Sequence, residues 1–179
     1  MKIYYNIPWN SDKNLGKAYN EFMKLLDKDD YAVFLDRDAM FCSTFYGKQI
    51  EYIVENHGAD LYTCMTNRVN CKQQLSNVQW TENNMAYHIA HANYLADSEH
   101  RHEVEDITAI HPELSGVMMV VSKRGWEMVG GFREDKMLGI DNDYHVRIRS
   151  TGGQVWLMRG VYVYHWYRNG DCTNKKHLI

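Results

Sequence analysis

The run Tyr31-Ala-Val-Phe-Leu35 is apolar from end to end and is followed at once by Asp36-Arg37-Asp38. A strand that is apolar on both faces must be covered on both, which places it inside an α/β sheet. The residues before it supply the other half of such a unit. Lys2 to Ile7 reads as a short strand and Pro8-Trp-Asn-Ser-Asp12 as a turn. From Leu15 the apolar positions Ala18, Tyr19, Phe22, Met23, Leu25 and Leu26 recur at helical spacing, and the charged stretch Asp27 to Asp30 ends the helix. The pattern is β-α-β, with a right-handed crossover and a parallel strand pair. Both Pro8-Trp9 and Asp36 to Asp38 then lie at the carboxyl ends of their strands, the edge where open α/β sheets bind ligands.

Further on, Tyr46 to Asn56 is a helix with a stop at His57-Gly58, and Leu61 to Thr66 is another strand. Lys72 to Pro112 is polar, with one helical stretch around Met85 to Leu95 and no clear strand. Leu114 to Ser122 reads as a strand interrupted by Gly116, and Arg124 to Val129 as a short helix closed by Gly130-Gly131. Asp141 to Ser150 is a helix with acids in its first turn, where the helix dipole favours them. Gln154 to Met158 and Val161 to Tyr164 are the last two strands, and Trp166 to Ile179 is a polar tail.

At 179 residues the chain fits one domain with a sizeable core, and 45% apolar against 24% charged residues is a globular balance. A net charge of −3 gives no basic surface for a nucleic-acid partner. No apolar run reaches the length of a transmembrane segment, and Met1-Lys-Ile-Tyr-Tyr-Asn lacks the apolar core of a signal peptide. The expected location is cytoplasmic. Cys42, Cys64, Cys71 and Cys172 fall at no metal-finger or redox spacing and are expected as free thiols. A monomer and a homo-oligomer are both left open.

Residues two apart in an extended segment point the same way, so Asp36 and Asp38 can face one cation. Their hard oxygens suit Mn²⁺ or Mg²⁺. Alone, the pair is also what a solvated loop after a strand looks like. A second acidic group, Asp141 and Asp143, sits on a predicted helix, either as an N-terminal cap pair or with one carboxylate facing a cleft. A base supplied by a different element from the metal ligands keeps its charge available. His165 closes the last strand and could complete a mixed oxygen and nitrogen site, or pack among Val161-Tyr-Val-Tyr164 and Trp166. His88, His91, His100 and His102 form a rival set: His88 and His91 share a helix face as zinc ligands do. No Cys or Glu stands at a zinc spacing, and a solvated histidine-rich face is the preferred reading.

Taken in order, four segments resemble the GT-A nucleotide-sugar glycosyltransferases, most closely inverting family 2. They are Asn14-Leu-Gly16-Lys-Ala18-Tyr-Asn20; Ala32-Val-Phe-Leu-Asp36-Arg-Asp38; Leu114-Ser-Gly116 through Val129-Gly130-Gly131-Phe132-Arg-Glu-Asp135; and Ile140-Asp141-Asn-Asp143-Tyr-His-Val-Arg147 with Gly152-Gly-Gln-Val and Val161-Tyr-Val-Tyr-His165. The likeness covers most of the chain outside residues 72–112. It departs from the family in two places: only 35 residues precede Asp36, and Ile140 stands where the family has Glu.

The resemblance implies a single GT-A domain over residues 1–179, an α/β Rossmann-like fold with a mixed, mostly parallel sheet flanked by helices and reduced in size. It implies transfer of a sugar from a UDP- or GDP-sugar to a saccharide or other hydroxyl acceptor, with Mn²⁺ or Mg²⁺ and inversion. Asp38 and His165 would bind the cation, Asp36 would reach the ribose or the metal through water, and Asp141 would be the base with Asp143 as second acid. Pro8, Trp9, Asn10, Arg37 and Gly116 would line the donor, Trp9 stacking on the base, and Lys17 or Asn20 would add polar contacts. Residues 72–112 would form the acceptor side or a lid. Two other classes use the same residues: a metal-dependent nucleotide-sugar hydrolase or phosphoesterase, and a non-catalytic nucleotide-sugar-binding module.

Overall fold

The computed structural model describes residues 1–110, 114–135 and 138–167. Its strands are β1 (Ile3–Asn6), β2 (Tyr31–Leu35), β3 (Ala39–Phe41), β4 (Leu61–Thr66), β5 (Val104–Asp106), β6 (Met118–Ser122) and β7 (Val155–His165). They form one sheet in the order β1-β2-β6-β4-β7-β3, with β5 also on β7. The β1/β2 and β4/β7 ladders are parallel and the others antiparallel, so β1, β2, β4 and β7 all run one way, with β6 reversed among them. This is the expected mixed α/β sheet, with β1-α1-β2 as its opening unit.

The helices are α1 (Leu15–Met23), α2 (Tyr46–His57), α3 (Met85–Asp97), α4 (Lys123–Met128) and α5 (Ile140–Ser150). Asn14 caps α1 by accepting the Lys17 N–H at 2.9 Å. The buried Tyr19 packs on Phe34 and Phe132, with ring centroids 4.6 Å apart in each case, and Phe132 stacks on Tyr144 at 4.0 Å. That aromatic column ties α1, β2 and α5 together and fixes where α5 starts relative to the end of β2. Helix α2 stops at Gly58, whose φ of 65° is the left-handed conformation that glycine adopts without strain.

Three features differ from the sequence reading. Residues 39–41 form a strand directly after the Asp36–Asp38 turn, and the polar stretch holds a short strand at Val104–Asp106; both pair only with β7. The two closing strands are one, β7, with a bulge against β4: Cys64 pairs with Met158 but Met65 with Tyr162. Gln49 of α2 holds the bulge by donating to the carbonyls of Gly160 and Arg101 at 3.0 and 3.1 Å. A Cβ at Gly160 would come within 2.3 Å of the His100 carbonyl oxygen, so this position admits no side chain. Among the described residues, no helix is long and apolar enough to cross a membrane. Of the predicted tail, residues 168–179 lie outside the described residues, as does Cys172; Cys42, Cys64 and Cys71 are buried free thiols.

Candidate functional site

Asp36 leaves the end of β2 with its N–H on the Val117 carbonyl at 3.0 Å, and the Ala39 N–H closes a turn onto the Asp36 carbonyl at 3.0 Å. The turn feeds β3, whose register sets Ala39 opposite His165. Asp38 is locked there by the Trp166 N–H, 2.8 Å from its carbonyl. Its carboxylate Oδ1 consequently lies 3.4 Å from His165 Nε2. Ligand atoms of Asp36, Asp38 and His165 all fall within 4.8 Å of one another, the sole such cluster among the described residues.

Two residues that the sequence reading passed over hold His165. Its Nδ1 is 2.7 Å from the Arg68 carbonyl, which can only accept, so Nδ1 is the donor there and Nε2 is the ring nitrogen left to face the carboxylates. Asn67 grips the His165 backbone from both sides, accepting its N–H at 2.7 Å and donating to its carbonyl at 3.4 Å. The buried Arg68 guanidinium donates to the carbonyls of Trp80 and Glu82 and to Asn83 Oδ1 at 2.7–2.8 Å, fixing the loop behind the site. Asn67 and Arg68 directly follow β4, on the same sheet edge as Asp36, and that placement was the available signal.

Burial pushes the Asp36 carboxyl up to about 7, aided by the charges of Asp38 and Asp141 and opposed by His165. The hydrogen bond from His165 holds Asp38 below the usual carboxylate range despite its partial burial. Crowded carboxylates beside a ring nitrogen fit a divalent cation with oxygen and nitrogen ligands.

Asp141 approaches from α5. Its Oδ2 accepts the Gly116 N–H at 2.7 Å, and a Cβ on Gly116 would lie 2.7 Å from the Asp141 Cβ. Burial raises its pKa, while backbone N–H groups of Gly116, Asn142 and Asp141 itself favour the ionised form. Gly116 is thus the seat of Asp141, a role different from the expected donor contact.

Pro8, Trp9 and Asn10 share a cleft of about 540 Å³ with Asp36, Arg37 and Asp38, and Trp9 is 75% exposed in it. Arg37 and Asp38 also border a second cleft of about 610 Å³, lined by Met40, Asn83, Tyr164 and Trp166. The sheet edge therefore brings together the residues expected from β1 and β2.

It does not bring Lys17, Asn20 or Asp143 with them. The Lys17 ammonium sits 3.9 Å from Glu21 on the outer side of α1. Asn20 is buried and fully engaged: Nδ2 donates to the Phe132 carbonyl and Glu134 Oε1, and Oδ1 accepts from Trp126 Nε1 and the Phe132 N–H, all at 2.8–2.9 Å. Asn14 Nδ2 donates to the Glu134 carbonyl at 2.6 Å, and a Cβ on Gly16 would lie 1.7 Å from the Arg133 carbonyl oxygen. The segment Asn14 to Asn20 is thus a clamp on residues 132–134. Asp143 is taken up by Arg147, 2.7 Å away, which also donates to the carbonyls of Val129 and Gly131 at 2.8 and 2.7 Å.

Among the described residues the four histidines form no metal-ready cluster, and only His88 leaves the expected solvated face; His91, His100 and His102 stay half-exposed. His88 is wholly buried, Nε2 donating to the Glu82 carbonyl at 3.1 Å and Nδ1 accepting from the Tyr162 hydroxyl at 2.7 Å. His91 bonds Ser76 at 2.5 Å, His100 pairs with Glu103, and His102 stacks on Tyr52. No family model matches this sequence, and no curated protein is similar to it.

Proposed function

We propose that this chain is a metal-dependent glycosyltransferase that moves a sugar from a UDP- or GDP-sugar to a saccharide or other hydroxyl acceptor, with inversion, in the cytoplasm. The observation that carries the reading is that a cation-ready cluster from β2 and β7 and a separate buried carboxylate from α5 meet at one sheet edge, beside a cleft of nucleotide size. The four motifs that resemble the GT-A family supply the reaction class, and the buried free thiols fit a reducing compartment.

In this reading Asp38 and His165 Nε2 would hold Mn²⁺ or Mg²⁺, and Asp36 would reach the ribose or, through water, the metal. When bound, the cation neutralises charge on the departing diphosphate. Trp9 and Pro8 cover the nucleotide, and the Arg37 guanidinium lies beside the phosphates. Asp141 takes the proton of the acceptor hydroxyl as its oxygen attacks the anomeric carbon, and the bond from that carbon to the diphosphate oxygen breaks on the opposite side. A base of this kind contributes about 10²- to 10⁴-fold in rate.

The test is a thermal-shift panel of nucleotide sugars with and without Mn²⁺, followed by mass spectrometry and anomeric-proton NMR of the product. Transfer with inversion, lost in Asp141→Asn while donor and metal affinity stay nearly unchanged, is the expected result. Free sugar in the presence of a good acceptor identifies a hydrolase instead, and donor binding without turnover a binding module; a fully active Asp141→Asn removes the base assignment.

A further inference from the structure

Three consecutive backbone N–H groups ahead of β6 are each captured by a side chain. Leu114 donates to His145 Nε2 at 2.8 Å, Ser115 to Gln74 Oε1 at 2.8 Å, and Gly116 to Asp141 Oδ2 at 2.7 Å. Asp141 and His145 stand four apart on α5, so one helix face supplies two of the three acceptors. Gln74, from the single turn Lys72–Gln74 in the polar stretch, supplies the third.

Gln74 is wholly buried and its polar atoms are all used. Besides accepting the Ser115 N–H, its Nε2 donates to the Ser115 carbonyl at 3.1 Å and to Thr63 Oγ1 at 2.6 Å. The amide therefore holds both polar groups of one peptide residue, as a neighbouring strand would. Thr63 lies in β4 and passes its own proton to the Met118 carbonyl at 3.2 Å, so the anchor reaches the centre of the sheet. An apolar side chain of equal size would fill the space without fixing the Ser115 backbone. The adjoining Gly116 has no side chain to set its own position, yet its N–H is the group from outside α5 that holds the Asp141 carboxylate.

We propose that Gln74 is a positioning residue for Asp141: by locking Ser115 at both its N–H and its carbonyl, it fixes the Gly116 N–H and hence the direction in which the carboxylate meets an acceptor hydroxyl. This inference rests on the transferase reading above. It also gives the polar stretch a role at the base without direct contact between the two. A displacement of about 1 Å at a reacting group costs on the order of 10²-fold in rate.

Gln74→Met preserves volume and removes every polar contact, and Thr63→Val, a milder change, removes only the anchor. Each is compared with the wild type for amide hydrogen exchange at Ser115 and Gly116, and for kcat and donor KM with the donor and acceptor found in the panel. Gln74→Met is expected to speed exchange at both amides by about tenfold or more and lower kcat by about 10- to 100-fold, with donor KM and Mn²⁺ affinity within about twofold. Thr63→Val is expected to change both in the same direction by less, and decides the matter if Gln74→Met does not fold. An active wild type whose variants exchange faster at Ser115 and Gly116 but keep their kcat overturns the inference and leaves the transferase reading standing. So does a loss that appears in donor KM alone. A wild type that binds donors and never turns them over removes the base itself, and both fall.

Discussion

His165 Nδ1 donates to the carbonyl of Arg68 across 2.7 Å, which leaves Nε2 as the ring nitrogen that faces Asp38. The Arg68 carbonyl is itself placed by a guanidinium that binds three acceptors in the loop from Trp80 to Asn83. The orientation of this candidate ligand thus depends on residues outside the cluster.

Removing Asn67 is expected to show this dependence. Asn67→Ala frees the His165 backbone, which Asn67 holds at both N–H and carbonyl, and outer-shell losses of this kind weaken metal binding by about 10- to 100-fold. Titration calorimetry with Mn²⁺ measures it. Asp38→Ala and His165→Ala are expected to leave no measurable binding; unchanged binding in either would mean that the cluster is only a hydrogen-bonded turn.

Mn²⁺ affinity should depend on pH through Asp36. Burial lifts its carboxyl to about 7, so between about pH 4 and pH 7 the metal-free folded chain keeps a proton that the unfolded chain has lost. Asp36 accordingly makes the metal-free fold less stable as pH rises through that window. A cation must displace the proton, and affinity is expected to rise by up to about tenfold per pH unit as far as about pH 7 and level off above it. Asp38, held below its ordinary value, is ionised across that range and adds no slope. Calorimetry from about pH 5 to about pH 8 checks the profile, and a flat one would show that Asp36 stays outside the coordination.

Gly116→Ala is expected to separate binding from turnover. The new methyl would lie 2.7 Å from the Asp141 Cβ and 3.0 Å from its Oδ2, forcing α5 or the carboxylate aside at about 1–3 kcal/mol in stability. Donor and Mn²⁺ affinity should persist while turnover falls by about 10²-fold. Urea unfolding and initial rates on the same preparation distinguish this from simple loss of fold.

Asn20→Ala should act on stability alone. It leaves the Phe132 N–H and the Trp126 indole N–H without their acceptor, at about 1–3 kcal/mol for each buried group. A fall of about 2–5 kcal/mol in urea unfolding is expected, with Mn²⁺ affinity of the folded protein unchanged.

Much of this arrangement was legible before the fold was known, because local pattern carried it. The apolar run from Tyr31 to Leu35, the helical spacing from Leu15 and the Gly58 stop each depend on neighbours in sequence. Strands β3 and β5 were not legible: each has three residues and exists because β7 offers a partner fifty or more positions later. Asn20 looked like a ligand-facing amide because its four partners lie more than a hundred residues away. His88 looked solvated because the tyrosines that enclose it arrive with β7. Asp143 and Arg147, four apart on one helix, could have been read as an ion pair from spacing alone.

The bulge in β7 decides which way the last histidine looks. In a regular ladder, paired residues share a face and faces alternate along the strand. Across the bulge, β4 advances one residue, from Cys64 to Met65, while β7 advances four, from Met158 to Tyr162. Three residues are in excess, and an odd excess reverses the parity of everything that follows. An unbroken β7 would send the His165 ring to the face opposite Met158; the reversal puts it on the same face. Gly160, too crowded to carry a side chain, and Gln49, which grips its carbonyl, therefore act as the index that sets the face on which His165 meets the two aspartates.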